Sequence, residues 1–223
     1  MHTILNSSVF QQSGYYKSGQ GFPIILLHGF AEDHSIWSSL IKHLEKDYLV
    51  IAPDLPGTGI SALPEQEMSM DLLADFANEI LEQEKIEKVI MLGHSMGGYA
   101  ALAFAEKYEN KLSAFSMIHS SAFADDEAKK ENRRKSIKLI ENEGREVFLK
   151  AMIPNLYSES SKVRLKREMD AHQPRQFLRI VRFDIEEGFQ QINRRNRHNR
   201  ADQLQFQIGV GNLTHPARFV AGV

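Results

Sequence analysis

The stretch that most constrains the fold of this chain is residues 88–98, which read KVIMLGHSMGG. An apolar run leads into a Gly-His-Ser-Met-Gly turn, and a helix of small residues follows over 99–108. The turn matches the pattern G-x-S-x-G in the context that this pattern requires, between a buried strand and a helix. Gly93 and Gly97 lack the Cβ atoms that would clash in so tight a turn. The segment therefore predicts a strained strand–helix turn with Ser95 raised above the end of a sheet, rather than a glycine-rich turn with a solvated serine.

Apolar runs and amphipathic segments alternate through the first half of the chain. Continuous apolar runs, typical of strands buried on both faces, lie at 22–27, 48–52, 88–92 and 112–118. Helical periodicity lies between them at 35–45 and 70–84, with Ser69 as the N-cap of the second helix. One or two short strands are predicted within 2–17. The alternation predicts an α/β fold with a doubly wound, mostly parallel sheet.

Charge and pattern change at about residue 124. Residues 124–202 hold 19 of the 27 Lys and Arg against 14 acids, a balance of +5, whereas the remainder holds 8 against 15, or −7. Asp125 is the predicted N-cap of a charged helix that runs to Glu143 and ends at Gly144. Two further helices are predicted at about 160–171 and 174–193. A structurally separate, mainly helical segment is therefore expected here.

Composition excludes several classes of protein. A chain of 223 residues forms one domain, or one domain with an insertion. The sequence holds no cysteine, which excludes disulfides and thiolate metal sites and fits a reducing compartment. It has no apolar stretch as long as a membrane span and no signal peptide, so a soluble, cytoplasmic protein without a membrane partner is expected. The basic run at 194–200 lacks aromatic stacking residues and is interpreted as a solvated helix end, so no nucleic-acid partner is expected.

Four stretches of the chain match one family together. They are residues 26–30 (LLHGF), 50–59 (VIAPDLPGTG), the strand, turn and helix at 89–101, and the strand at 115–121. With this order and spacing the chain resembles the α/β-hydrolase superfamily, in particular small esterase-like members with a helical cap. The resemblance implies three parts: a core with the serine turn at 1–121, a helical cap or lid insertion at 122–205, and the start of the returning core strand at 206–223. The predicted α/β-hydrolase fold is then incomplete at its C-terminal side.

The resemblance also implies roles for individual residues. Ser95 is implied as the nucleophile that attacks an acyl carbon. The backbone N–H groups of Phe30 and Met96 are implied as the oxyanion hole. His28 and His94 resemble structural positions whose side chains orient the loops. The expected substrate is a small ester, thioester or related acyl compound, and neither a cofactor nor a metal is expected.

The chain departs from the family in the rest of the catalytic triad. A serine nucleophile needs a histidine base and an orienting carboxylate, in the family order Ser, acid, His. The chain ends at Val223, about where the acid is expected. The histidines after the serine are His119, His172, His198 and His215, and the candidate acids are Asp125, Asp126, Asp170, Asp184 and Asp202. His119 ends a strand near the active-site edge and is the best substitute base, although a structural role is the favoured interpretation.

Two hypotheses of function follow. The first is a serine hydrolase that acts through Ser95, and the alternative is a truncated or remodelled family member that is inactive and at most binds ligand. Without base and acid, acylation is expected to be slower by about 10⁴- to 10⁶-fold. An open edge at strand 112–118 or 219–222 would further make the chain marginally stable and prone to self-association. The sequence leaves the oligomeric state open. Asp33 and His34 suggest a metal site, but no second ligand pair has metal spacing.

Overall fold

A computed structural model gives the fold of the chain and describes residues 1–156, 158 and 162. The described part has six strands: β1 (His2–Leu5), β2 (Ser13–Ser18), β3 (Phe22–Leu27), β4 (Tyr48–Pro53), β5 (Val89–His94) and β6 (Leu112–Ile118). Its α-helices are α1 (Ser38–Leu44), α2 (Met70–Gln83), α3 (Met96–Lys107), α4 (Glu127–Glu143) and α5 (Arg145–Met152). Short 3-10 helices lie at His34–Trp37, Glu109–Lys111 and Ile153–Leu156.

All six strands form one sheet in the order β1-β2-β4-β3-β5-β6. The neighbours β4, β3, β5 and β6 run parallel, and β1 and β2 join as an antiparallel pair at the other side. Leu27 lies opposite Gly93, and His94 lies opposite Ile118. The carboxyl ends of β3, β5 and β6 therefore meet at one end of the sheet, where ligands bind in open α/β folds. The predicted doubly wound, mostly parallel sheet is confirmed.

The central strands bury side chains on both faces. In β3, Ile25 and Leu27 belong to the cluster under α2 and α3, whereas Ile24 and Leu26 pack with Trp37 on the opposite face. Successive side chains of a strand point to opposite faces, which explains why the run at 22–27 shows no polar alternation. Each large apolar side chain buried in this way stabilises the fold by roughly 1.5–3 kcal/mol. Trp37 is thus part of the core and holds the helical turn before α1 against the sheet.

Strand β6 differs from the central strands. Within the described residues it pairs only with β5, and none of its seven residues is buried. Its carboxyl end nevertheless reaches the serine turn, because the backbone N–H of Ser95 donates to the carbonyl oxygen of Ile118 at 3.0 Å. The margin of the described sheet is therefore tied to the serine turn.

Helix boundaries differ from the sequence predictions at three points. The helix predicted at 35–45 begins as the 3-10 helix His34–Trp37, and its α-helical part is only α1. Helix α3 begins at Met96 rather than at residue 99, because the turn at Ser95 passes directly into helix. The N-cap of α4 is Asp126, whose carboxylate accepts the N–H of Lys129 at 2.8 Å, and not Asp125. Asp125 instead accepts a hydrogen bond from Arg133 Nε at 2.6 Å. The caps predicted at Ser69 and Gly144 are confirmed.

Several predicted elements lie outside the described residues. They are the helices at 160–171 and 174–193, the basic run at 194–200 and the strand at 219–222. The division into core, cap and returning strand consequently stays a prediction. In the part of the chain that the structure describes, no helix has both the length and the apolar character needed to cross a bilayer.

Candidate active site

Ser95 is the single residue between β5 and α3. Its backbone has φ +49° and ψ −113°, a conformation that a non-glycine residue adopts at a cost of about 1–3 kcal/mol. Three hydrogen bonds hold the turn in this state. The Ser95 N–H donates to Ile118 at 3.0 Å, and the Ser95 carbonyl oxygen accepts from the Gly98 N–H at 3.0 Å and from the Ser120 hydroxyl at 2.8 Å. The surrounding backbone therefore imposes the strained turn that the sequence predicted.

Close backbone packing fixes the helix that follows the serine. A Cβ atom on Gly97 would lie 2.7 Å from the carbonyl oxygen of His28, closer than real Cβ contacts come. The start of α3 thus packs directly on the end of β3. This brings the N-terminus of α3, where the first N–H groups have no partner within the helix, toward the loop after β3.

The loop after β3 lies against the serine turn. A Cβ atom on Gly29 would be 3.1 Å from the Ser95 Cβ and 3.0 Å from His94 Nδ1. Glycine is thus required here to bring the two segments together. Phe30 follows in this loop, and Met96 is the first residue of α3. The structure places both predicted oxyanion residues on the two segments that meet at Ser95, and their role as N–H donors stays a prediction.

His28 is a fully buried clamp between two loops. Its Nε2 accepts the N–H of Leu55 at 3.0 Å, so the proton lies on Nδ1, which donates to the carbonyl oxygen of Gly29 at 2.8 Å. Burial disfavours the charged ring and lowers the pKa of His28 below its ordinary value. Both ring nitrogens are engaged, which leaves His28 no capacity to act as a base. It joins the loop after β3 to the loop after β4.

His94, the residue before the serine, pairs with an acid that the sequence analysis did not single out. Its Nδ1 lies 2.8 Å from Glu32 Oε2, and the same oxygen accepts the N–H of Gly29 at 2.6 Å. The hydrogen bond to Glu32 raises the pKa of His94. Partial burial of the ring lowers it, but by less. Glu32 lies 62 residues from His94 in sequence. The signal available in the sequence was an acid three positions after the loop glycine.

A second acid–histidine pair lies in the neighbouring loop. Asp54 Oδ1 accepts both the ring Nδ1 of His34 at 2.7 Å and its backbone N–H at 2.9 Å, and Oδ2 accepts the N–H of Ile60 at 2.9 Å. The hydrogen bond to the carboxylate raises the pKa of His34. Burial of Asp54 by itself would raise the pKa of its carboxyl, but the hydrogen bonds from His34 and Ile60 outweigh burial and lower it.

Asp33, His34 and Asp54 bring ligand-type atoms within 4.8 Å of one another. The sequence analysis considered only the first two, because Asp54 comes from another strand end. Both oxygens of Asp54 already accept hydrogen bonds from the chain, and Asp33 Oδ1 accepts the N–H of Ser35 at 2.8 Å as a helix cap. The internal hydrogen bonds account for the placement of these side chains, which join the loop after β3 to the loop after β4.

His119 follows β6, at the same end of the sheet. Its backbone has φ +47°, and its ring centroid lies 6.2 Å from that of His94. The side chain is exposed. Among the described residues no histidine is hydrogen-bonded to the Ser95 hydroxyl. The candidates His172, His198, His215, Asp170, Asp184 and Asp202 lie outside the described residues.

The start of the predicted cap contacts the core beside the serine. Asp125 is buried under Arg133, and Arg133 in turn contacts Tyr99 on the first turns of α3. The ring of Phe148 in α5 packs edge-to-face on Phe30, with centroids 6.3 Å apart. Helix α4 thus contacts the core at Tyr99 of α3, and α5 contacts it at Phe30 of the loop after β3.

The fold and this turn define a family. A family model described as alpha/beta hydrolase fold matches residues 23–135, just over half of the chain. The chain belongs to the α/β-hydrolase family, as its sequence motifs predicted. Several of the proteins that the chain resembles are named as hydrolases or esterases.

Similar proteins include enzymes of more than one chemistry. A soluble epoxide hydrolase of Corynebacterium sp. (strain C12) is 35% identical over 97 residues, which is 44% of this chain and 33% of that protein. A pimeloyl-[acyl-carrier protein] methyl ester esterase of Legionella pneumophila (strain Paris) is 36% identical over 89 residues, 40% of this chain and 34% of its own. The chain matches only about a third of the length of these curated relatives.

A solved structure resembles the chain over a greater length. The thermophilic esterase from Thermogutta terrifontis, in a malate-bound structure, superposes with a TM-score of 0.71 at 27% identity. The match covers 82% of this chain and 68% of that one.

Proposed function

We propose that the protein is a serine hydrolase that cleaves a small ester, thioester or related acyl compound through Ser95. The observation that carries the proposal is the Ser95 backbone, which is held at φ +49° at the junction of β5 and α3. Such a strained junction exposes a hydroxyl above the sheet edge and places it beside N–H groups at a helix N-terminus. The loop at Gly29, packed against Ser95, provides the second side of that site.

The proposed reaction proceeds in two steps. The Ser95 oxygen bonds to the acyl carbon, its proton passes to a histidine base, and the leaving group departs with a proton. Water then attacks the acyl-enzyme and releases the acid. The N–H groups of Met96 and Phe30 would bind the oxyanion in both steps, and loss of one such donor typically costs about 3–4 kcal/mol of transition-state stabilisation. Of the candidate bases, His119 is the one that lies within the described residues.

The substrate class is proposed from the serine and from the named relatives together. An oxyanion pocket stabilises the charge that develops on a carbonyl oxygen, which favours acyl compounds. Two of the similar proteins are named as esterases. Because another is named an epoxide hydrolase, the fold alone does not fix the reaction. The proposal includes a cytoplasmic location, consistent with the absence of cysteine, and neither a membrane nor a nucleic-acid partner.

A catalytically inactive member that binds ligand is the second candidate. It is favoured by one observation: among the described residues, no histidine bonds to the Ser95 hydroxyl. A histidine in that position is what gives a serine its reactivity. Lyase and perhydrolase reactions on the same scaffold would be further outcomes of a substrate screen.

The test is covalent labelling of the purified chain with a fluorophosphonate probe, followed by hydrolysis of p-nitrophenyl acetate and of an epoxide. The proposal predicts labelling at Ser95, ester turnover above that of the epoxide, and loss of both signals in Ser95→Ala. Ser116→Ala, an exposed serine on β6, is the matched control and should label like the wild type. An unlabelled wild type that still binds acyl compounds would instead establish the inactive member.

A further inference from the structure

Glu32 lies on the loop after β3 and joins this loop to the end of β5 beside Ser95. Its oxygen Oε2 accepts the N–H of Gly29 at 2.6 Å and contacts Nδ1 of His94 at 2.8 Å. Its side chain is only 21% exposed, so these contacts are partly shielded from water. A Cβ atom on Gly29 would lie 2.8 Å from the same oxygen and 3.1 Å from the Ser95 Cβ. The carboxylate, the imidazole and the serine therefore converge on the side-chain face of Gly29.

We propose that Glu32 is a positioning residue, whose carboxylate fastens the oxyanion loop to the serine turn and so sets the geometry around Ser95. This inference rests on the proposed function, since a set geometry matters only where Ser95 reacts. Glu32 touches neither the serine hydroxyl nor, on this proposal, the substrate. It acts through Gly29 on one side and through His94 on the other.

Two bonds at Gly29 fix the direction of the Phe30 N–H. The Gly29 N–H is held by Glu32, and the Gly29 carbonyl oxygen is held by His28 Nδ1 at 2.8 Å. That carbonyl belongs to the same planar peptide as the Phe30 N–H, which points the opposite way in a trans peptide. With both flanking peptides held, the Phe30 N–H has a fixed orientation. Displacement of a catalytic group by about 1 Å can cost roughly 100-fold in rate.

The loop needs this restraint because its own conformation is strained. Ala31, between Phe30 and Glu32, has φ +75°, which is unfavourable for a residue with a Cβ atom. Glycine at 29 adds a residue with no side chain to pack. A loop with these two features has no intrinsic preference for its observed shape, so a contact from outside must select it. Glu32 supplies that contact by reaching across to β5.

The pairing with His94 also makes a carboxylate tolerable beside an oxyanion. A lone Glu32 carboxylate would repel the negative charge that develops on the substrate. The hydrogen bond to Glu32 raises the pKa of His94 and so favours the protonated ring, whose charge is opposite to that of the acid. In the described part of the chain, the other titratable ring beside His94 is that of His119, at 6.2 Å between ring centroids, and the neighbouring Trp37 carries no charge. A ring protonated on both nitrogens would offset the charge of Glu32 within the site.

The experiment compares Glu32→Gln and Glu32→Ala with the wild type, with Glu87→Gln as control. Glutamine keeps an acceptor for the Gly29 N–H but removes the charge, whereas alanine removes both. Glu87 is exposed at the opposite end of β5 and makes no side-chain hydrogen bond in the described part of the chain. The fluorophosphonate labelling rate of Ser95 should fall roughly 10-fold in Glu32→Gln and roughly 100-fold in Glu32→Ala, with kcat of ester hydrolysis falling in parallel and KM nearly unchanged.

A second readout does not require activity. In ¹H–¹⁵N and imidazole NMR spectra, the wild type should show a low-field Gly29 amide proton and a His94 pKa above the ordinary value. Glu32→Gln should bring the His94 pKa below the ordinary value, because the burial of the ring remains while its ion partner is lost. Wild-type NMR signatures without any labelling would overturn the proposed function but support the fastening contact. Equal labelling rates in wild type and Glu32→Ala, or a His94 pKa unmoved in Glu32→Gln, would overturn the role of Glu32.

Discussion

Two acid–histidine pairs lie in adjacent loops at the same end of the sheet, and they differ in what surrounds the acid. The Asp54 side chain is 1% exposed and accepts three hydrogen bonds from the chain. Its carboxylate also packs against the backbone of Gly59. Glu32 is partly exposed and uses one oxygen for two contacts beside Ser95. The same chemical pair thus holds the turn at 54–60 together in one place and joins the loop after β3 to the serine turn in the other. Burial and the number of acceptor bonds decide which role dominates.

The largest expected effect is on stability, in Asp54→Ala. The variant leaves the His34 ring and the N–H groups of His34 and Ile60 without their buried acceptor. Removal of one partner of a buried pair typically costs about 3–5 kcal/mol, which is on the order of 10 °C in Tm for a chain of this length. Thermal and urea unfolding would measure the loss. Asp47→Ala, an exposed acid before β4, should unfold like the wild type, and an equal Tm in both variants would contradict the stabilising role.

A smaller effect on the free energy of unfolding is expected when pH changes the charges of the His34–Asp54 pair. The raised pKa of His34 means that its contribution to stability is present below about pH 6.5 and is lost as pH rises through the raised value. The lowered pKa of Asp54 means that its contribution is present above about pH 4 and is lost as pH falls through the lowered value. The difference in unfolding free energy between wild type and His34→Gln should therefore be greatest between about pH 4 and 6.5. A difference that grows toward pH 9 would refute this assignment.

Gly29→Ala tests the Glu32–His94 pair beside Ser95. The added Cβ would press on Glu32 Oε2 and on the Ser95 Cβ, and such overpacking typically costs about 1–3 kcal/mol. We expect slower labelling of Ser95 with a lower Tm. In the double variant with Glu32→Ala, the two losses in labelling rate should be less than additive, because both act on one contact. Full additivity would show that Gly29 and Glu32 act independently.

The smallest expected effect is that of Ser120→Ala. This variant removes one hydrogen bond to the Ser95 carbonyl oxygen, worth about 0.5–1.5 kcal/mol, but leaves the bond from the Gly98 N–H. A drop in labelling rate of several-fold is expected, well below that of Glu32→Ala. Ser116→Ala on the same side of the sheet is the control. A larger effect than that of Glu32→Ala would place the main support of the turn on β6 rather than on the loop after β3.

Local patterns in the sequence predicted the elements but not the contacts between loops. The strands at 22–27 and 112–118 and the caps at Ser69 and Gly144 follow from residues adjacent in sequence, and all were predicted. Asp125 and Asp126 are both good N-caps, so local preference could not choose between them. Arg133 within α4 donates a hydrogen bond to Asp125, which leaves Asp126 as the N-cap.

The two acids that distinguish the site were harder to predict. Glu32 meets His94 and Asp54 meets His34 only because β3, β4 and β5 end at one level of the sheet. Sequence spacing of 62 and 20 residues carries no sign of these pairings. The sequence placed Ser95, Phe30 and Met96 on the segments that meet, since a short motif encodes each of them. Contacts that depend on strand register need the assembled sheet.

The hydrogen bond from Ser95 to Ile118 couples the serine to the lifetime of a strand. Strand β6 lies at one margin of the described sheet and β1 at the other, and strands of one sheet open with different free energies. Each opening of the β6 end would release one of the bonds that hold Ser95 at φ +49° and let the residue relax to an ordinary conformation. The strained conformation of Ser95 therefore depends in part on the persistence of the end of β6.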